Sequence, residues 1–409
     1  MANVDQREQR VVIAGAGLAG TRTAVLLREA GFTGTITVAG AERHRPYDRP
    51  PLSKDVLLGT AEGAPLDVDF DALGIELLLG RTATGIDATA RTLLTDAGPL
   101  PYDRLVIATG AEALTLPGSA GLPGVHVLRT LDDAARLRPL LAARGSLIAV
   151  GAGWIGAEAA TAARAAGAAV TVLEAAPHPL PGALPPRLTE PMRQWYEQAG
   201  ARLRTGARVA AVRPGEVELA DGEVLGADAV LIGIGSRPAT GWLAGSGVAL
   251  APDGSVRADD RLRTTLPGVY AVGDCASFPS ARYGRRLLVH HWDNAQAGPA
   301  TVAAHLTGTG DAAYDPVPYF WSEQFGRFVQ YAGQHGPDDT LLWRGDPGAD
   351  GSTGAWTVCW LGQDGTLRAV CAVDRPRDLA QGRRLVARGA RLDPARAADP
   401  AVPLKNALA

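Results

Sequence analysis

Val11-Val12-Ile13-Ala14-Gly15-Ala16-Gly17-Leu18-Ala19-Gly20 and Leu147-Ile148-Ala149-Val150-Gly151-Ala152-Gly153-Trp154-Ile155-Gly156 are two copies of one pattern, far apart in the chain. Each begins with four apolar residues, the mark of a strand buried on both faces of a parallel sheet. Each continues through G-x-G-x-x-G into a stretch with helical spacing. In the first copy that stretch is Thr21–Ala30, closed by Gly31; in the second it is the alanine-rich Trp154–Ala166. Thr35–Ala39 and Ala169–Leu173 are the strands that follow, so each copy predicts a βαβ unit. In isolation the glycine pattern is weak. After a strand and at the opening of a helix it has the context a phosphate site requires. The first glycine allows the tight turn, the second lets a pyrophosphate approach the backbone, and the third lets helix and strand pack closely. The helix N-terminus then offers free N–H groups and a partial positive charge to the phosphates.

The two copies differ at the acid that should follow. Glu174 comes immediately after Ala169–Leu173. A carboxylate there accepts hydrogen bonds from an adenosine ribose and repels a 2′-phosphate, which favours NADH over NADPH. In the first copy Gly40 and Ala41 come next, Ala41 stands where the acid is expected, and the acid arrives at Glu42. Glu42 is either a ribose ligand reached by a shift of the loop or a solvated loop residue.

The rest of the chain sets limits on these readings. A length of 409 residues implies two or three domains. Apolar content of 46% and charged content of 20% fit a soluble globular protein. A net charge of −3 argues against general nucleic-acid binding. No apolar run has the length of a membrane span, and the polar Met1–Arg10 stretch does not read as a signal peptide. Cys275, Cys359 and Cys371 form no C-x-x-C spacing and fit a reducing compartment, so the cytoplasm is expected. No metal site is predicted. His290 and His291 are adjacent, and neighbours on a strand point to opposite faces, which argues against joint metal binding.

Leu105–Ile107, Ala229–Ile232 and Val269–Val272 read as further buried strands. Alternating strands and helices predict parallel sheets covered on both faces. From Asp315 the texture changes. Pro316 and Pro318 lead into Tyr319-Phe320-Trp321, and Ala355–Leu361 and Thr366–Val373 alternate like antiparallel strands of an α+β domain.

Further stretches resemble one family. Pro46-Tyr47-Asp48-Arg49-Pro50-Pro51-Leu52-Ser53-Lys54 is similar to the motif after the first βαβ unit in single-component FAD-dependent ferredoxin reductases, which serve haem monooxygenases and aromatic-ring dioxygenases. Ala108-Thr109-Gly110 looks like that family's crossover between domains. The run from Thr264 to Asp274 resembles its second FAD fingerprint, and Tyr319-Phe320-Trp321-Ser322-Glu323-Gln324 its C-terminal aromatic motif. The tail from Leu379 to Lys405 matches as well, with Asp399-Pro400 and Leu404-Lys405 near its end. The resemblance covers nearly the whole chain.

It implies an α/β fold of two Rossmann-like dinucleotide-binding domains plus a C-terminal α+β domain. FAD would lie on residues 1–109 and 238–315, NADH on an inserted domain of residues 110–237, and residues 316–409 would form the third. Implied FAD contacts are Gly15, Gly17, Leu18, Ala19, Gly20, Glu42, Arg49, Lys54, Ala83, Ala108, Thr109, Gly110, Arg129, Gly273, Asp274, His291, Trp292 and Trp321. Asp274 would bond the ribityl chain, and the cations Arg49 and Lys54 would lie along the flavin and its pyrophosphate. Implied NADH contacts are Gly151, Gly153, Trp154, Ile155, Gly156, Glu174 and Gly235. Lys54 would pair with Glu158, the alternative being a surface ion pair worth little. Lys54 and Lys405 are the chain's two lysines, which favours a specific task for Lys54. Trp321 would wall the flavin, with Phe320 in the core. Lys54, Glu158 and Trp321 are thus the expected catalytic residues. Two departures from the family pattern, Leu114 for an arginine and His290 for a glutamate, leave those contacts without a counterpart.

The implied reaction takes hydride from NADH onto the flavin and delivers electrons one at a time to a small acidic 2Fe–2S ferredoxin in a transient encounter. Arg43, Arg45, Arg282, Arg285, Arg286 and Arg327 are candidate docking cations. The chain would act as a monomer or weak dimer. A rubredoxin reductase and a signalling flavoprotein resembling apoptosis-inducing factor are the alternatives. No cysteine precedes Cys275, so the C-x-x-x-x-C of the flavin disulfide reductases is absent.

Overall fold

The structure is a computed structural model and describes residues 8–345, 348 and 354–409. Most of the polar N-terminal stretch, residues 1–7, lies outside the described residues. Two compact units emerge. One holds the described residues up to Asp48 with Ala64–Glu112 and Ser236–Pro316; the other holds Arg49–Gly63, Ala113–Gly235 and everything from Val317.

The first unit is organised by a five-stranded sheet in the order Val269–Ala271, Arg104–Ile107, Arg10–Ala14, Thr35–Gly40, Ile75–Leu79. All its pairings are parallel. Alternation along the central strand explains its continuous apolar run. Val11 and Ile13 enter one buried cluster with Leu27, Val38 and Phe278, while Val12 and Ala14 enter the other with Leu105, Val269 and Cys275. The helix after the glycine turn is Leu18–Glu29, three residues earlier than the spacing predicts, so Gly20 lies inside its first turn. An antiparallel ribbon of Ala83–Asp87, Thr92–Thr95 and Leu100–Pro101 is inserted before the Arg104–Ile107 strand.

The second unit repeats this plan. Its parallel sheet runs Arg202–Thr205, Ala169–Glu174, Ser146–Val150, Ala229–Ile232, Val125–His126, and its antiparallel insert is Val209–Arg213, Glu216–Leu219, Val224–Gly226. It also contains the antiparallel C-terminal sheet, in the order Tyr319–Gln324, Arg327–Gly333, Leu367–Val373, Trp356–Leu361, Thr340–Arg344.

The C-terminal sheet is not a separate body. One face, with Val329, Val358, Trp360 and Cys371, shares a core with Leu180, Leu184, Leu188, Met192 and Trp195 of the inserted domain. The other face, with Ala332, Cys359 and Val370, packs on Leu379, Leu385 and Val386 of helix Pro376–Arg388 and on Leu404 of the tail. Burial pushes the Cys359 thiol up to about 12, so it is an inert core group. The thiol of Cys275 is likewise raised, to about 11.

Arg344 fastens the tail. Its side chain is 2% exposed, and its Nε donates to Asp378 Oδ2 at 2.9 Å. Its remaining N–H groups donate to the carbonyls of Ala397, Asp399, Pro400 and Val402. The Asp399-Pro400 motif therefore works through backbone acceptors that match the planar guanidinium. Asp378→Asn removes the charge partner and leaves a buried cation. It should lower unfolding free energy by about 3–5 kcal/mol, read as a lower denaturant midpoint.

Candidate functional site

The first glycine turn is fixed by close backbone approach. Gly15 has φ +116°, and a Cβ there would stand 2.2 Å from the carbonyl oxygen of Ala108. A Cβ on Gly20 would stand 1.9 Å from the Gly15 oxygen. These two glycines are required by the protein itself. Gly17 differs: its φ of −71° and ψ of −173° suit any residue, and a Cβ there would meet nothing within 4 Å. The second turn repeats the division. Gly151 and Gly156 are hemmed in at 2.4 and 2.0 Å by the Gly233 and Gly151 oxygens, whereas Gly153 has only the Gly233 oxygen at 3.8 Å. The middle glycine of each turn thus leaves a cradle that a side chain would fill. That is the fit expected of a dinucleotide pyrophosphate over a helix N-terminus.

In the first unit the expected residues converge on the carboxyl ends of the sheet strands. Gly273 follows Val269–Ala271, and a Cβ there would lie 2.9 Å from Ala19 Cβ, so Asp274 sits beside the first turn of the Leu18–Glu29 helix. Ala108, Thr109 and Gly110 leave the adjacent strand. Thr109 Oγ1 donates to the Ala239 carbonyl at 2.8 Å, and the Ala239 N–H donates to the Gly110 carbonyl at 2.9 Å. Trp292 Nε1 donates to Asp48 Oδ1 at 2.7 Å. His291 stands at the N-cap position of the Trp292–Thr307 helix without a side-chain capping bond, and burial pushes its imidazole down to about 4 against the pull of Asp274.

The ribose end needs a correction. The strand pairing matches Ala39 to Ala14 as it matches Leu173 to Val150, so Gly40, not Ala41, occupies the position of Glu174. A Cβ at Gly40 would stand 2.5 Å from Ala16 Cβ, which forbids an acid there. Glu42 is not a free loop residue either: Tyr47 Oη donates to its Oε2 at 2.5 Å. The Gly80 N–H donates to the Glu42 carbonyl and the Arg81 N–H to the Gly40 carbonyl, which brings the loop leading to Ala83 against this strand end.

In the second unit Glu174 is 7% exposed and already oriented. Its Oε2 accepts from the Ala152 N–H at 2.9 Å and its Oε1 from the Ala176 N–H at 2.8 Å. Burial, with the charge of Glu174, raises the pKa of the Tyr196 phenol. Gly235 closes the neighbouring strand end, its carbonyl accepting from the Leu114 N–H. Ile155 and Ile234, 40% and 37% exposed, flank the same turn. Ile234 was not legible in sequence; its signal is an exposed aliphatic at a strand end.

Arg49 and Lys54 lie in the Arg49–Gly63 segment, which belongs with the second unit rather than the first. Arg49 donates to the Arg129 carbonyl at 2.5 Å. Lys54 Nζ lies 3.0 Å from Glu158 Oε2, with side chains 17% and 6% exposed, so Glu158 is buried, Lys54 is partly buried, and the pair is not an open surface bridge. Phe320 packs against Trp154 and Tyr331, with ring centroids 4.7 and 5.4 Å apart. Trp321 points the other way and stacks on Tyr319 at 5.9 Å. His290 and His291 are not on a strand as expected; they follow Arg285–Leu288, and His290 Nδ1 lies 3.0 Å from Ser236 Oγ. Arg286 is not a free docking cation, since it donates to the Ala258 and Ser277 carbonyls. Among the described residues no group of His, Cys, Asp or Glu could hold a metal ion, and no helix is long and apolar enough to cross a membrane.

Two glycine-turn domains of one plan, followed by an antiparallel C-terminal sheet, define a two-nucleotide oxidoreductase. The chain belongs to the pyridine nucleotide-disulphide oxidoreductase family, matched over residues 9–298, and carries a reductase C-terminal domain over residues 319–408. Its cofactors are FAD and NADH. It is 42% identical to the ferredoxin reductase component of chlorobenzene dioxygenase from Cupriavidus sp. (strain PS12), over 95% of each chain. It is 38% identical to rhodocoxin reductase of Rhodococcus erythropolis, over 98% of this chain and 94% of that one. Among solved structures, a chain of the covalent putidaredoxin reductase–putidaredoxin complex is 31% identical with a TM-score of 0.91, covering 97% of both chains.

Gly153→Ser tests the cradle. Serine is a good N-cap in this backbone conformation, so melting temperature should hold, while the added side chain should weaken NADH binding about tenfold or more. His291 supplies a pH test. Its folded-state pKa lies below the ordinary 6.5, so the unfolded chain takes the proton first. The stability from the neutral imidazole is complete above pH 6.5 and falls as pH drops towards about 4. The melting temperature of His291→Asn should depend less on pH across that window.

Proposed function

We propose that this protein is the NADH-dependent ferredoxin reductase of an oxygenase system. It would accept hydride equivalents from NADH and deliver electrons one at a time to a small acidic 2Fe–2S ferredoxin. The observation that carries this reading is the pair of turns whose middle glycines, Gly17 and Gly153, leave open space that no packing demand explains. Support for the acceptor comes from the relatives, named as ferredoxin reductase components of dioxygenase systems.

The residues divide the work. Gly15–Gly20, Glu42, Gly273 and Asp274 would hold FAD. Gly151–Gly156, Glu174 and Gly235 would hold NADH, with Ile155 and Ile234 offering apolar surface to its rings. Bound FAD supplies the conversion of a two-electron donor into single-electron steps. Lys54 is assigned the task of presenting a cation to the flavin, Glu158 of orienting that cation, and Trp321 of excluding water. Buried thiols fit a reducing compartment, and we place the protein in the cytoplasm as a monomer or weak dimer.

Anaerobic NADH should bleach the flavin spectrum of the purified protein. Reduction of cytochrome c by NADH should then require an added 2Fe–2S ferredoxin; equal rates without one would refute the assigned acceptor, and a stronger response to rubredoxin would favour that carrier. NADH should exceed NADPH in kcat/KM, and Glu174→Ala should narrow the gap by about tenfold.

A further inference from the structure

The aromatic motif of the C-terminal sheet has a second face. Along Tyr319–Gln324 successive side chains alternate. Tyr319 and Trp321 stack together on one side, while Ser322 and Gln324, each 1% exposed, lie on the other. Gln324 Nε2 donates to Ser322 Oγ at 3.2 Å, and Ser322 Oγ donates to Glu158 Oε1 at 2.7 Å. The other carboxylate oxygen, Oε2, accepts from Lys54 Nζ at 3.0 Å and Ser53 Oγ at 2.5 Å. Glu158 is therefore gripped by three donors from two distant segments of the chain.

We infer that Ser322 is a positioning residue for the Lys54–Glu158 pair, polarised by Gln324, so that the C-terminal sheet sets the orientation of the Lys54 amine. This rests on the functional assignment of that pair. The physical reason is the buried carboxylate. Glu158 is 5% exposed and cannot recruit bulk water for an oxygen that loses its donor. Without the Ser322 hydroxyl, Oε1 must turn towards another donor, and the Lys54 contact on Oε2 turns with it. Hydrogen bonds in series reinforce one another, so Gln324 strengthens the Ser322 donor. The relay also gives a reason for the spacing of Ser322 and Gln324: a two-residue interval puts both hydroxyl and amide on the face opposite Trp321.

The chain's two lysines make the test clean. In competitive acetylation of the flavin-loaded protein followed by peptide mass spectrometry, exposed Lys405 is the internal reference for Lys54. Ser322→Ala should raise the Lys54/Lys405 labelling ratio about tenfold, the equivalent of one charged hydrogen bond. Gln324→Leu, which leaves the hydroxyl but removes its donor, should raise it less. Glu158→Gln should also raise the ratio, and adding Ser322→Ala to it should change nothing further. In turnover assays Ser322→Ala should lower kcat while KM for NADH stays within about twofold, the signature of lost orientation rather than lost binding. A wild-type labelling ratio in Ser322→Ala would overturn the relay, as would additive effects of Ser322→Ala and Glu158→Gln. A wild-type kcat in Glu158→Gln, with Lys54 labelling raised, would instead overturn the functional assignment of the pair.

Discussion

The approach of a glycine turn to the end of the neighbouring strand is the constraint on which this protein depends. Gly15 meets the Ala108 carbonyl and Gly151 the Gly233 carbonyl at distances no Cβ could tolerate. Each contact fixes where a helix begins relative to the sheet. It also fixes where the helix N–H groups point and how much room stands above Gly17 or Gly153. Four of the five strands take the same order in both units, with the strand before each turn in the middle; only the edge strand comes from a different place in the chain. The chemistry of the two sites then diverges through what stands at the next strand end. Glu174 fits because its carboxylate receives two backbone N–H groups. The equivalent Gly40 cannot carry a side chain past Ala16, and the next acid in the chain, Glu42, is held by Tyr47.

A second organising fact is that the C-terminal sheet has a core of its own on one face only and shares the inserted domain's core on the other. Its two faces are covered by different partners, the Leu180–Trp195 region on one and the final helix and tail on the other. Arg344 joins the tail to the sheet through one carboxylate and four carbonyls. A buried guanidinium of this kind adds little net stability over a well-packed apolar group, but it accepts few alternative geometries. The result is a sheet held in one place relative to the Trp154–Ala165 helix, which carries Glu158.

Glu158 is where these arrangements meet. Lys54 reaches it from a segment whose sequence neighbours belong to the first unit, and Ser322 reaches it from the C-terminal sheet. Desolvating an ion pair is unfavourable unless the carboxylate keeps hydrogen-bond donors, and here Ser53 and Ser322 add two beside Lys54. An arrangement of this type is better suited to holding a charge in a fixed direction than to holding the fold together.

The glycine spacing, the apolar runs and the position of Glu174 were legible in sequence because each is a local rule: a turn that needs glycine, a strand with two buried faces, an acid at a strand end. The pairing of Lys54 with Glu158 came from resemblance, and its burial was not legible, since it depends on the packing of residues 104 positions apart. Register decided that Gly40 rather than Ala41 replaces the first acid, because only pairing across the sheet says which residue faces the turn. Tertiary structure likewise decided that Arg49–Gly63 leaves the first unit, that the C-terminal sheet shares the inserted domain's core, and that Ser322 and Gln324 serve Glu158. Sequence by itself determined the two nucleotide-binding turns, whose glycines obey sterics within a few residues. Only the folded chain could decide what surrounds the buried carboxylate, because desolvation and hydrogen-bond satisfaction are properties of segments brought together from far apart.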